Sequence, residues 1–480
     1  MSKPTAAVGV LLVLLAIPYL SPKLARFRTI SIPGAPSAAA VATTTPAAPA
    51  PPPTVGDQAL GASENRSSVA NALPDKPVVV DPEVLAKTAG SVAIEGDEAM
   101  HAFYMHLADT ISKKDKAVTR VLHYGDSVIT SDYVSGTLRR KLQTRFGDAG
   151  HGFILVANAW EWYFHNDVMH YASSGWTANR ISGPLAKNAE YGLGGAVFRG
   201  VPGSSATFGT ASSGTYGRKV SHFDVYYLAQ PGGGDIEVKV SGEAPQTFST
   251  KDEDAGSAHA AIHRVDVADG EAKMTLRAAG RGELKVYGVA LERDAPGVVV
   301  DALGALGARM KMWEPVPEEH LREQFDLRKP ALIVLQFGTN ESEDGGINAP
   351  EYEKTLSTVL QKWKRAAVGA SILVASPLDR AERDANGRLR SNRVLMKIVD
   401  LQQKIAAKEG VAFWNTWKAM GGEGSMGRWL NAKPQLCSGD LTHPTPAGAE
   451  VIGDLFYKAL AAGYAGWSSN QKGAPPLPAE

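Results

Sequence analysis

Ala331-Leu332-Ile333-Val334-Leu335-Gln336-Phe337 is a seven-residue run with six apolar members that stops at Gly338-Thr339-Asn340. It has no polar face. A strand apolar on both sides belongs inside a parallel sheet covered by helices, and the glycine after it marks the chain's exit from that sheet. Four more runs read the same way: 118–122, interrupted by Thr119 and Arg120, then 298–300, 372–375 and 411–414. Apolar residues at helical spacing fill 352–367 and 395–408. This alternation predicts an α/β domain with a five-stranded parallel sheet and helices on both faces.

The last four runs start 33 to 41 residues apart, which suits one crossover helix each, whereas the first two start 180 apart. That interval must hold more than a crossover. A helix is expected through Val134, Leu138, Leu142 and Phe146. Beyond it, 223–228, 235–240 and 283–291 largely alternate at period two, and Gly232-Gly233-Gly234 punctuates them. Such alternation is the pattern of antiparallel strands with one buried face. The reading is an antiparallel β-sandwich, jelly-roll-like, inserted at 155–294. It divides the α/β domain into 82–154 and 295–465, with 466–480 as a disordered tail.

The chain of 480 residues balances 50 Lys and Arg against 50 Asp and Glu. Zero formal charge gives no support for a nucleic-acid partner. Cys437 is the only cysteine, which excludes an intramolecular disulfide, a CxxC site and a cysteine metal cluster. His123, His151 and His165 are metal ligands by residue type alone, and their spacing matches no zinc pattern. No metal and no cofactor are expected. Lys3 precedes an uncharged apolar run of 16 residues, 5–20, with Lys23, Arg26 and Arg28 beyond it. Residues 1–33 therefore read either as a cleaved signal sequence or as a retained membrane anchor. Either places the body of the protein in the periplasm or elsewhere in the extracytoplasmic envelope. Residues 34–81, rich in Ala, Pro, Thr and Ser, bury too little apolar surface to offset their ordering entropy and are expected to form a disordered linker.

The chemistry is carried by short motifs at strand ends. Tyr124-Gly125-Asp126-Ser127-Val128 follows the first run, and Asp440-Leu441-Thr442-His443 lies near the far end. A serine hydroxyl is a weak nucleophile until a histidine takes its proton and a carboxylate holds that histidine in the right tautomer. Asp440 and His443 are close enough for one turn to join them. Asn340 is a candidate amide donor to an oxygen that becomes negative, and the glycine-bearing loop after 298–300 offers a backbone N–H from Gly304 or Gly307. Each motif alone is also an ordinary turn or helix cap. The bland readings leave unexplained the order of the motifs, with the first three each following a strand-like run.

In that order the four pieces resemble the SGNH (GDSL-type) hydrolases. The resemblance implies a flavodoxin-like α/β fold, Ser127 as nucleophile, and Asp440 and His443 as the rest of the triad. It also implies the Ser127 and Gly307 amides and the Asn340 side chain as oxyanion donors. The stretches 127–139 and 146–153 further resemble bacterial peptidoglycan O-acetylesterases that carry a carbohydrate-binding-like β module, except that Val128 stands where that family often has histidine. This implies a serine esterase acting on O-acetylated cell-envelope polysaccharide, most simply peptidoglycan. The alternatives are an O-acetyltransferase using the same triad, or a non-catalytic glycan-binding envelope protein. Trp160, Trp162 and Trp176, with Tyr163 and Phe164, crowd the start of the insertion, as rings stacked on sugars or as packing between the two parts.

Overall fold

The computed structural model describes residues 63–64, 73, 78–81, 84 and 92–479 apart from 255. The segment 1–33 lies outside these. Among the described residues no helix is long and apolar enough to cross a membrane.

The five expected strands are Val118–Gly125, Gly297–Gly304, Leu332–Gln336, Ser371–Ala375 and Ala412–Trp414, and all pair in parallel. Their spatial order is second, first, third, fourth, fifth. This is the flavodoxin-like winding, in which ligands gather where the order reverses, between the first and third strands. Register brings the carboxyl ends level there: Gly125 lies opposite both Gly304 and Gln336. Alternation explains why the runs looked uniformly apolar. Leu122, Tyr124, Ile333 and Leu335 join one buried cluster, while Val121, Leu332 and Val334 join another on the opposite face.

The helices Tyr133–Phe146, Ala349–Ala366 and Arg393–Glu409 stand where helical spacing put them. A 24-residue helix, Pro446–Ser469, covers one face of the sheet with Tyr133–Phe146. Instead of the expected disordered tail, the helix runs past 465 and the chain then folds back. Arg145 Nε donates to Pro478 O at 2.8 Å, Tyr464 Oη to Pro475 O at 2.8 Å, and Ala474 and Leu477 pack on the core. Proline-rich backbone still offers carbonyl acceptors, and here they find donors.

The insertion supplies five strands to one antiparallel sheet, which Ser63–Glu64 completes as a sixth, and all six strands of another. Phe208, Val238 and Leu276 from one and Phe198, Val225 and Val286 from the other share a single core. It begins before the expected 155, because Gly150–Leu155 already pairs with Lys285–Glu292. The linker expectation is also corrected where residues are described. Ser63–Glu64 adds to Val168–Ala172, and Leu73 is buried with its N–H on Asn166 Oδ1 at 3.1 Å. A buried ionic knot fastens the insertion to the sheet. Arg120 grips Glu292, and Arg328 bridges Glu292 to Asp301, with Nε on Asp301 Oδ2 at 2.6 Å. Burial alone would raise the Glu292 carboxyl, but the two guanidinium groups hold it well below the usual range.

Candidate active site

Ser127 stands two residues beyond the first strand, at the first position of a short helix, Ser127–Thr130. Asp126 caps that helix, its Oδ1 accepting the Val128 N–H at 3.1 Å. The turn needs Gly125, because a Cβ there would lie 2.4 Å from Ile129 Cγ1. Burial pushes the Asp126 carboxyl up, opposed by the Val128 N–H and by Thr339. Val128 itself is buried.

The distal loop meets the serine across 316 residues of chain: Ser127 Oγ lies 2.7 Å from His443 Nε2. His443 Nδ1 is 2.7 Å from Asp440 Oδ2, and Asp440 Oδ1 accepts the N–H groups of Thr442 and His443 at 2.9 and 3.0 Å. Burial would raise the Asp440 carboxyl. The His443 ring and these two N–H groups outweigh it and hold the carboxyl at about 2, so it is charged at neutral pH. The loop is held by Ser438 N–H on His443 O at 2.8 Å and by Thr445, which caps the helix Pro446–Ser469. Cys437 is buried nearby, and that burial, with Asp440 and Asp379 adding to it, pushes its thiol up to about 12. Burial of this kind disfavours the thiolate, the form in which a cysteine attacks.

Asn340 follows the third strand through Gly338, whose φ of 132° favours glycine. Its Nδ2 donates to Ala308 O at 2.9 Å, which ties it to the loop after the second strand. In that loop Gly304 has no space, since a Cβ would sit 2.2 Å from Thr130 N, whereas Gly307 has φ 72° and open surroundings. Gly304 is thus a close-packing residue under the Ser127 helix, and Gly307 is the one set in the open loop.

The aromatic residues divide. Trp160 and Trp176 are buried, and their indole N–H groups are spent on Ser182 Oγ at 3.1 Å and Ser205 O at 3.0 Å. They pack within the protein and offer no sugar platform. Trp162 is half-buried and stands edge-to-face with the His443 ring, centroids 5.2 Å apart. The strap carrying it is anchored by Tyr163, whose Oη accepts the Leu155 N–H at 2.8 Å, and by Asn166, whose N–H reaches Asp132 Oδ2 at 2.9 Å.

His151 and His165 do come together, with Asp132, within 4.8 Å, while His123 lies elsewhere, between Gln336 and Ser135. Both Asp132 oxygens are engaged by Arg139, at 3.0 and 2.8 Å, and His151 Nε2 meets His165 Nδ1 at 3.0 Å. Burial lowers His165 to about 4. A carboxylate already paired with a guanidinium, beside neutral imidazoles, is a hydrogen-bonded support for the strap. Glu341 carried no sequence signal, because its partner Met310 is 31 residues away in the chain.

Residues 268–451 match the model of the GDSL-like lipase/acylhydrolase family. The match includes Gly307, Asn340, Asp440 and His443 but begins beyond Ser127, which the insertion separates from them. No curated protein sequence matches the chain significantly. Among solved structures, a peptidoglycan O-acetylesterase is similar over 76% of this chain and 96% of its own, with TM-score 0.62 and 21% identity. A family two carbohydrate esterase from Cellvibrio japonicus is similar over 60% and 98% of the two chains, with TM-score 0.25 and 10% identity. A salicylyl-acyltransferase from a tetracycline biosynthetic pathway is similar over 65% and 97%, with TM-score 0.28 and 15% identity.

Proposed function

Since residues 268–451 match the GDSL-like lipase/acylhydrolase family, we propose that the chain is a serine esterase of the SGNH type that removes acetyl groups from O-acetylated peptidoglycan through Ser127, His443 and Asp440. The observation that carries this reading is the continuous hydrogen-bonded run from Asp440 through His443 to Ser127, with 2.7 Å at both junctions. His443 Nε2 takes the Ser127 proton as Oγ bonds to the acetyl carbonyl carbon. Asp440 steadies the imidazolium. The Ser127 and Gly307 N–H groups and the free N–H of the Asn340 amide receive the oxyanion. As the tetrahedral intermediate collapses, the sugar oxygen leaves with the proton from His443. Water, deprotonated by His443, then releases acetate from the acyl-serine.

The peptidoglycan assignment is supported by the shared fold over most of both chains with a peptidoglycan O-acetylesterase. Trp162 walls the cleft beside His443 and is the ring we assign to the sugar that bears the ester. The apolar segment 5–20 supports an extracytoplasmic location, with that segment as signal sequence or anchor. The test is acetate release from O-acetylated peptidoglycan by wild type and by Ser127→Ala. Serine-dependent release is expected. Serine-dependent hydrolysis of p-nitrophenyl acetate without release from peptidoglycan would keep the esterase and discard the substrate.

A further inference from the structure

Glu341 sits beside Asn340 and has no part in the chemistry above. Its Oε1 accepts the Met310 N–H at 3.0 Å, and its Oε2 is buried with no hydrogen-bond partner among the described residues. A carboxylate sunk for an ion pair would use both oxygens; this one spends its burial on a single backbone N–H. That N–H belongs to the Gly307 loop. The loop turns at 305–308, where Ala308 N–H meets Ala305 O at 3.0 Å, and Ala305 N–H holds Gly125 O at 3.0 Å. Asn340 Nδ2 takes Ala308 O, Glu341 takes Met310 N–H, and Arg309 pairs with Asp344, its Nη2 2.9 Å from Oδ1. Three successive residues of one loop are thus fastened to the turn that bears the Asn340 amide. Beyond them Lys362 Nζ secures the carbonyls of Trp313, Glu314 and Val316 at 3.0, 2.7 and 2.7 Å. The Arg309 pair is exposed, and surface pairs hold little. A cavity of about 140 Å³ lined by Glu341, Met310, Tyr352 and Leu356 among others adjoins the carboxyl, so on that side Glu341 faces open space.

We infer that Glu341 is a positioning residue of the oxyanion hole, holding the Gly307 loop where its N–H and the Asn340 amide serve the same oxygen. The inference rests on the triad and oxyanion donors proposed above. Donor placement matters steeply, since a shift of about 1 Å in a reacting geometry costs on the order of 10²-fold.

The test is steady-state hydrolysis of p-nitrophenyl acetate by wild type, Glu341→Ala, Glu341→Asp, Glu341→Gln, Asn340→Ala and Ser127→Ala. Glu341→Ala is expected to lower kcat roughly 10- to 100-fold with KM within about twofold, because the donors act on the transition state. Glu341→Gln keeps an acceptor at the same reach and should recover to within about threefold of wild type, whereas Glu341→Asp keeps the charge but falls short of Met310 and should not. Combined with Asn340→Ala, the loss should be less than the product of the two, as both changes act on one oxygen. Should Glu341→Ala fail to fold, the Gln and Asp variants carry the same comparison. Wild-type kcat in Glu341→Asp, or a Gln variant no better than the Asp variant, overturns the inference. Activity persisting in Ser127→Ala would instead overturn the triad, and the inference with it.

Discussion

Replacing Asp440 by asparagine changes one atom and should disable the triad through its wiring. In the native loop Oδ1 receives two backbone N–H groups, from Thr442 and His443, and Oδ2 receives the imidazole Nδ1–H. An amide has one acceptor. If its oxygen stays with the backbone pair, its NH₂ faces Nδ1, which must then be unprotonated; the ring proton moves to Nε2, and His443 donates to Ser127 instead of accepting from it. Turning the amide over restores the tautomer but leaves two N–H groups facing a donor; as the loop is open to solvent, this costs about 0.5–1.5 kcal/mol each, so about 1–3 kcal/mol in all. At about 1.4 kcal/mol per decade this leaves roughly one molecule in 5 to one in 100 correctly wired, before loss of the carboxylate charge is counted. The same change in a serine-protease triad costs about 10⁴ in kcat. We therefore expect Asp440→Asn to lower kcat by about 10² to 10⁴ on p-nitrophenyl acetate, with little change in KM. The assay is initial-rate kinetics on protein freed of wild-type traces, with thermal melting to show that the fold persists. An Asp440→Asn enzyme within about tenfold of wild type would refute the wiring argument.

Three further outcomes follow from other contacts. Arg139→Met strands the Asp132 carboxylate, whose pair is almost wholly buried, and should cost about 3–5 kcal/mol in urea unfolding; a loss below about 1 kcal/mol would show that the network is not load-sharing. Gly304→Ala places a Cβ 2.2 Å from Thr130 N and 2.4 Å from Ile129 C, so the Ser127 helix must move; a folded protein with kcat lowered at least about tenfold is expected, and unchanged kcat and Tm would contradict it. Burial, with the nearby Asp126 carboxylate, pushes Glu341 up to about 7 from an ordinary 4.5, against the Met310 N–H and Arg309. A raised folded-state value favours the fold below about pH 4.5 and loses that favour as pH rises through about 7, so the Tm of wild type relative to Glu341→Gln should fall between about pH 5 and pH 8; a constant difference would count against the shift.

Legibility in the sequence followed burial and chain distance. The strand Leu332–Gln336 was plain because both of its faces are covered, and the Asp440–His443 pair because three residues separate its members. The helix Pro446–Ser469 gave a weak pattern, as it contains Gly448, Gly453, Gly463 and Gly466, which lower intrinsic helix preference. Packing requires at least two of them: a Cβ on Gly453 would lie 2.7 Å from Thr137 Cβ, and one on Gly463 2.0 Å from Tyr104 Oη. Aromatic crowding pointed to Trp162, but sequence has no means to separate it from Trp160 and Trp176, since all three have the same chemistry and differ only in exposure. The Glu341 contact was invisible because Met310 reaches it only after the second and third strands have both paired with the first, which lies between them.

The placing of the serine at one end of the fold's chain order and the histidine at the other has a consequence for how activity arises. The strand leading to Ser127 is made first and ends in the middle of the sheet, yet both of its neighbours, Gly297–Gly304 and Leu332–Gln336, emerge only after the whole insertion. Until then its two edges have no native partner, a state open to mispairing. His443 comes later still. With the proposed triad, a chain stopped anywhere before His443 has the nucleophile but no base, so hydrolytic competence is expected only once that late stretch of polypeptide is in place.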